Sequence, residues 1–273
     1  MSQARGPIFS ILRTLVEERC GLCYGPAEED VFLDKVGRRA QDAGFESLLD
    51  YYYFLRYDAA AASEIEALVD ALVVNETFFF RELPPLRVIV DQFLLPAVKL
   101  GTRPRVWCAA SSTGEEPLTL AMLLAEKGVL AEVEVVASDI SPRVLARAKS
   151  GRFGRRSLRA PSEEAMVSRW IRAEGTEYVI AKELVDAITW RCVNICERES
   201  FEGIGPCDVI LCRNVLIYFS DATTAKVIDD LANKLKPGGA LFVGVSESLL
   251  RFGSSLTCEE NQQVFFYRKS HGR

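Results

Sequence analysis

Polar residues stand at the ends of four short apolar runs, where the strands of an open parallel sheet present groups to a ligand. The first run, RVWCA from Arg105, leads through Ala110, Ser111, Ser112, Thr113 and Gly114 to Glu115 and Glu116. Small side chains let a ligand approach that backbone. A single glycine is no G-x-G-x-x-G fingerprint, however, and two carboxylates at a helix start repel a pyrophosphate. Ser112 with Glu115, or Thr113 with Glu116, has the spacing of a capping box. The other reading is a carboxylate facing a cation, and S-adenosylmethionine carries both a sulfonium and an ammonium.

The second run ends at Asp139, placed either to accept hydrogen bonds from both ribose hydroxyls or to cap a helix starting near Ser141. Asn194 ends the third; its amide suits adenine and equally an ordinary turn. The fourth, CDVILC, stops at Arg213-Asn214, so a charge and an amide project past the strand, with Tyr218 one helical turn onward. That tyrosine reads as a crevice residue or as a packed ring with its polar tip outward.

The elements that must position these groups follow from apolar periodicity. Before Val74 the segments ILRTLVEERC, VFLDKVGRRAQDAG and FESLLDYYYFLRY have helical spacing, broken by Gly21, Gly25, Pro26 and Gly44. A further helix is expected over residues 84–100. Beyond Gly101, β-branched runs alternate with helices, the pattern of a doubly wound, mostly parallel sheet. Strands are expected at residues 105–109, 133–138, 188–193, 208–212, 241–245 and 264–267. Ser141-Pro142 reads as a cap with a first-turn proline, and Asp221 opens a helix running to Lys236-Pro237-Gly238-Gly239. EYVIA and AITW suggest a small antiparallel excursion. The expected organisation is a helical domain over residues 1–80, a linker helix over 81–101, and an α/β domain over 102–273 with a β insertion at about 163–190.

Composition narrows the chemistry. The chain has 273 residues, 49% apolar and 26% charged, enough for two cored units. A net charge of -5 offers no general attraction for nucleic acid or anionic lipid. No signal-peptide pattern or apolar run of roughly 20 residues occurs, so a cytoplasmic protein without membrane insertion is expected. Cys108, Cys192, Cys207 and Cys212 lie in apolar runs and are expected to be buried free thiols. Cys20 and Cys23 have C-x-x-C spacing without a second pair, and the only histidine is His271, so no metal site is expected. The usual imidazole base is missing as well.

Taken together, NETFFFRE (Asn75 to Glu82), CAASSTGEEP, ASD, CRNVLIYF and KPGG with GVSES resemble the chemotaxis receptor methyltransferase family, CheR, in order and over nearly the whole chain. The resemblance implies a small all-helical domain followed by a Rossmann-like class I methyltransferase domain carrying a small β subdomain. It implies that Asn75, Thr77 and Arg81 reach S-adenosylmethionine, that Glu116 and Asp139 bind its amino-acid and ribose portions, and that Asn194, Ile195, Arg213 and Asn214 complete the pocket. Tyr218 would lie by the transferring methyl. Phe78, Phe79 and Phe80 would staple the domain junction, while Arg81 could hold a carboxylate in a bidentate fork.

The implied activity is protein-glutamate O-methylation of chemoreceptors, with S-adenosylhomocysteine as product. A glutamate is already ionised near neutral pH and attacks without losing a proton, which suits a chain without a catalytic histidine. Arg81 and Tyr218 would orient it. The implied partner is the cytoplasmic helical bundle of chemoreceptors, against a basic helix here supplied by Lys35, Arg38 and Arg39. Some members hold a receptor tail pentapeptide through a glycine-rich loop; Arg172-Ala-Glu-Gly175-Thr is short for that, and no such docking is expected. The rival readings are a methyltransferase for small molecules or nucleic acid, which lacks a basic or base-flipping signature here, and a non-catalytic module binding the cofactor or its product.

Overall fold

The computed structural model describes residues 5–159 and 163–271. Two compact units emerge: residues 1–74 with 218–223, and residues 75–217 with 224–273.

In the first unit the expected helices form as α1 (Arg5–Cys20), α2 (Glu29–Asp42) and α3 (Leu48–Tyr57), joined by α4 (Ala62–Leu72). Ser47 caps α3 by accepting from the backbone of Asp50. Phe32, Val36, Tyr51, Leu55 and Leu72 are fully buried, so each helix contributes one apolar stripe to a shared core. Glu64 fastens it: Arg39 donates to both its oxygens, at 2.7 and 2.8 Å, and the Tyr51 hydroxyl donates to Oε1 at 2.6 Å. The basic residues of α2 sit in three different settings. Arg39 is committed to Glu64, Lys35 donates to the carbonyl of Leu72, and exposed Arg38 pairs with Asp34 one turn away.

The second unit opens with α5 (Leu83–Val88) and α6 (Leu95–Lys99), between which Ile89–Leu94 widens into a π-turn. Pro96 explains the widening, because a proline cannot donate into an α-ladder and its ring crowds the carbonyl four residues back. The main elements then follow as β1 (Arg105–Ala109), α7 (Glu115–Glu126), β2 (Glu134–Asp139) and α8 (Pro142–Ser150). Next come β3 (Arg152–Gly154), α9 (Glu164–Trp170), β4 (Ile171–Glu174), β5 (Glu177–Ile180), α10 (Lys182–Asp186) and β6 (Ile188–Cys192). The chain closes with β7 (Cys207–Cys212), α11 (Asp221–Lys234), β8 (Leu235–Phe242), β9 (Leu256–Asn261) and β10 (Val264–Lys269).

Seven strands form the main sheet in the order β6-β2-β1-β7-β8-β10-β9, parallel except for β10, which is antiparallel to both its neighbours. Strand order reverses between β1 and β7, where Ala109 pairs with Cys212. Ligands of such sheets bind at that switch point. Phe79 and Phe80 enter this unit's core, Phe79 meeting Phe153 edge to face at 5.0 Å.

Several expectations change. The antiparallel excursion is a second sheet, β3-β5-β4, which recruits Arg152–Gly154 from before the expected insertion. AITW is not part of it: β6 pairs parallel with β2 as an edge of the main sheet. That edge position leaves Cys192 exposed, whereas Cys108, Cys207 and Cys212 are buried as expected. The KPGG run lies inside β8, not at the end of α11, and β9 was hidden by its polar sequence TCEEN. All eight cysteines are free thiols. Burial pushes Cys20 up to about 11 and raises Cys23, the opposite of an activated thiol pair.

Glu64 gives the first unit a measurable signature. Glu64→Ala strands both Arg39 and Tyr51 and should cost about 2–3 kcal/mol in urea unfolding of the full chain. Tyr51→Phe removes one hydrogen bond but keeps the ion pair, and should cost about 1 kcal/mol.

Candidate active site

At the switch point the loop after β1 is forced into an unusual path. Ala110 and Ser112 have φ of 56° and 50°, and Gly114, at 94°, begins α7. A Cβ on Gly114 would stand 2.8 Å from both the Ala148 Cβ and the Trp190 ring, so this glycine serves the packing of α8 and β6. Two backbone bonds fix the loop against β2: Ser111 donates to the Ser138 carbonyl at 2.8 Å, and Ser112 donates to Asp139 Oδ2 at 2.7 Å. The other Asp139 oxygen accepts from Ser141 at 3.0 Å, while Ser141 itself caps α8 through Val144. Asp139 thus joins two strand-end loops with a buried carboxylate, more than the cap considered from sequence.

Neither capping box forms. Gly114 is the N-cap and has no side chain to offer. Thr113 instead donates to Glu115, which is buried, and burial raises Glu115 against the hydroxyl bonds it receives. Glu116 turns toward β7. There Arg213, with 2% of its side chain exposed, donates to Glu116 at 2.5 Å and to Glu82 at 2.7 Å, and also reaches the carbonyls of Arg81 and Glu82.

Burial raises Glu116, with Arg213 opposing. Burial acts the same way on Glu82, but there the Arg213 bond, its charge and the Val245 N–H prevail, and the carboxyl sits low. Burial works against the Arg213 charge, yet its two carboxylate partners hold its pKa up. One guanidinium between two carboxylates leaves this cluster with an acidic excess when both are ionised, and Asp139 adds to it.

Glu247 organises the neighbouring strand ends. Its Oε2 accepts from the backbones of Asn214 and Gly244, both at 2.7 Å, and its Oε1 from Ile217 at 3.3 Å. A Cβ on Gly244 would come within 2.5 Å of Asn214 Nδ2, which explains the glycine of GVSES. Phe80, Glu82 and Asn214 also have positive φ. Five of the seven such non-glycine residues among those described therefore surround this one crevice, a concentration typical of functional sites.

The remaining predicted residues occupy varied settings. Arg81 is half-buried, donates to the Glu76 carbonyl at 2.8 Å and lies 5.7 Å from the Phe78 ring centroid. Asn75 and Thr77 are half-buried on the same segment. Asn194 uses Oδ1 to accept from Cys196 in a turn, and Ile195 is buried. Tyr218 belongs to the first unit, where its carbonyl accepts from Cys23 and Phe219 bridges Leu22. Glu82, at the start of α5, and Glu247, in the loop after β8, lie in NETFFFRE and GVSES but were not among the predicted site residues.

The model of the CheR methyltransferase SAM binding domain matches residues 75–265, and that of the CheR methyltransferase all-alpha domain matches residues 8–73. The chain belongs to the CheR methyltransferase family. It is 33% identical over 270 residues to chemotaxis protein methyltransferase 2 of Vibrio cholerae, spanning 96% of this chain and 93% of the relative. Chemotaxis protein methyltransferase 1 of Pseudomonas aeruginosa is 30% identical over 250 residues, spanning 88% of this chain and 90% of that one. A further Pseudomonas aeruginosa relative, the probable biofilm formation methyltransferase WspC, is 34% identical over 239 residues, spanning 86% of this chain and 56% of its own length.

This CheR-family enzyme is an S-adenosylmethionine-dependent methyltransferase, and its crevice fits that cofactor. Ser111 Oγ, Ser112 Oγ and Arg213 Nε are buried at the strand ends without a protein partner, so polar capacity remains for a ligand. The acidic excess suits a cationic one. When bound, S-adenosylmethionine supplies a methyl activated by a sulfonium.

Arg213→Ala should expose the tension in this cluster. Two carboxylates would then face each other with only half-buried Arg81 nearby, costing about 3–5 kcal/mol of stability and abolishing product binding by calorimetry. Unfolded glutamates titrate near ~4.3. In the variant, burial and mutual repulsion raise the folded values above that, so the folded state binds protons the unfolded state does not. The stability deficit should therefore shrink as pH falls from neutrality toward ~5. A deficit independent of pH would contradict the ion-pair reading.

Proposed function

We propose that this enzyme transfers the methyl group of S-adenosylmethionine to glutamate side-chain carboxylates of chemoreceptors, giving glutamyl methyl esters and S-adenosylhomocysteine. The observation that carries this is a crevice rich in carboxylates with no imidazole to serve it. The only histidine, His271, stands beside Gly238 near the start of β8, away from the strand's carboxyl end. A carboxylate acceptor suits such a site, because it arrives already deprotonated and needs no base. Its oxygen forms the new bond to carbon while the carbon–sulfur bond breaks and its electron pair stays on sulfur, with no proton to move. Alignment and exclusion of water then supply the acceleration. The chemotaxis names of the relatives support the same acceptor.

In this reading Asn75, Thr77, Arg81, Glu116, Asp139, Asn194, Ile195, Arg213 and Asn214 hold the cofactor, with Arg81 also positioning the acceptor and Tyr218 assisting it. The acceptor lies on the cytoplasmic helical bundle of the receptor, and the enzyme works in the cytoplasm. No described helix is long and apolar enough to cross a membrane. The absence of receptor tail pentapeptide docking is supported by the short β4–β5 connection, where Glu174 pairs with Glu177 and only Gly175-Thr176 lies between.

The decisive assay is transfer of labelled methyl to a receptor cytoplasmic fragment, scored as base-labile methanol. Asp139→Ala should reduce transfer by about 100-fold through lost cofactor affinity. Tyr218→Phe should lower kcat about tenfold and leave affinity for S-adenosylhomocysteine unchanged. Product binding without any base-labile label would sink the glutamyl assignment. For the tail, calorimetry of a free receptor C-terminal pentapeptide against the enzyme should give no heat; saturable binding would contradict the short-hairpin argument.

A further inference from the structure

Between Asp139 and Glu163 the sequence carries seven basic residues, Arg143 to Arg159, and no acidic one. In a chain of net charge -5 such a stretch stands apart. Arg147 and Lys149 are exposed on α8, and Arg155, Arg156 and Arg159 are exposed just after β3. Folding brings the two groups together, since Arg147 Nη2 lies 3.5 Å from where a side chain on Gly154 would begin.

Not all of this charge is spent internally. Arg152 pairs with Glu177 at 2.9 Å and Glu174 at 3.2 Å, and Arg159 pairs with Glu76 at 2.9 Å. Lys149, Arg155 and Arg156 make no ion pair with any described residue. The strip also leads to the crevice. The Ser157 carbonyl accepts from Phe79 at 2.8 Å, and the Arg159 guanidinium lies 4.5 Å from the centroid of the Phe78 ring, which Arg81 also approaches. Arg159, paired with Glu76, thus links the strip to the segment that carries Arg81 and Glu82, and the unpaired Arg155 and Arg156 directly precede Ser157. On the first unit, Arg39 is paired with Glu64 and exposed Arg38 with Asp34 one turn away, while Lys35 donates to the neutral Leu72 carbonyl.

We propose that the exposed strip from Arg147 to Arg159 is the docking surface for an acidic, glutamate-bearing helical face of the protein substrate. This rests on the glutamyl-methylation reading. A substrate that presents several carboxylates near its target is steered by clustered cations within about a Debye length, ~8 Å at physiological salt. Rim charges of this kind set encounter and register and leave the chemistry alone. Each ester formed also removes one negative charge, so an extensively methylated substrate is held less well than an unmodified one.

The test uses the full-length enzyme and a chemoreceptor cytoplasmic fragment. Arg155→Glu/Arg156→Glu should raise KM for the fragment about tenfold at low ionic strength and flatten its salt dependence, with kcat and S-adenosylhomocysteine affinity unchanged. Glu→Gln changes at non-target positions of the fragment should raise KM for the wild type but much less for the variant. An unchanged KM overturns the proposal, as does a defect confined to binding of phosphatidylserine vesicles or duplex DNA. Direct binding of the fragment, followed by surface plasmon resonance, separates this inference from the one beneath it. Charge-dependent binding without methyl transfer counts against the glutamyl chemistry and supports the docking strip. Equal binding by wild type and variant counts against the strip.

Discussion

The crevice is organised around one buried guanidinium. Arg213 follows the central strand β7 and is held by Glu116, from the first turn of α7, and by Glu82, from the segment that opens α5. Burying such an ion costs several kcal/mol unless its partners are well placed. Here three chain segments far apart in sequence must be in register at once to satisfy it. That requirement explains why Glu82 tolerates a left-handed backbone, a conformation costing of order 1 kcal/mol or more for a residue with a side chain. Only there does its carboxylate meet Arg213 while its own carbonyl accepts from the same guanidinium.

Two other carboxylates act as joints between backbone segments. Asp139 ties the loop after β1 to the start of α8, and Glu247 ties the ends of β7 and β8 together. Backbone N–H groups at strand ends have lost their ladder partners, and a buried carboxylate accepts two of them at once. The same carboxylates that rigidify the loops make the crevice acidic, so scaffold and local charge depend on the same atoms.

The alternating pattern beyond Gly101 was legible because β1, β2, β6, β7, β8 and β10 are apolar over most of their length. The strands that escaped are the polar ones: β9, at the sheet edge, and β3 and β4 of the small sheet, which lack a buried run to announce them. The strand-end carboxylate Asp139 and the Arg213-Asn214 pair could be read directly, since each follows an apolar run. The partnership of Glu82 with Arg213 could not, because residues 131 apart meet only through the topology of the sheet. Likewise S-x-x-E spacing pointed to capping, and only the left-handed Gly114 shows why neither serine nor threonine takes that role. For the basic residues on α2, sequence gives their charge, but not that Arg39 is paired with Glu64 or that Lys35 donates to the Leu72 carbonyl.

Charge in the second unit is segregated by depth. Acid predominates in the crevice, and Lys149 on α8 with Arg155 and Arg156 after β3 are exposed outside it, with no ion pair to any described residue. A carboxylate acceptor approaching an acidic crevice is repelled unless something outside compensates. Arg81 is half-buried beside Glu82 and lies between those regimes. Its charge lowers both Glu82 and Glu116, while its guanidinium lies near the Phe78 ring that Arg159 also reaches. In the proposed reading, a gradient from external cations to internal anions would attract a carboxylate acceptor to the rim and keep it off the cofactor's counter-charges, which favours an acceptor carried on a larger docked surface.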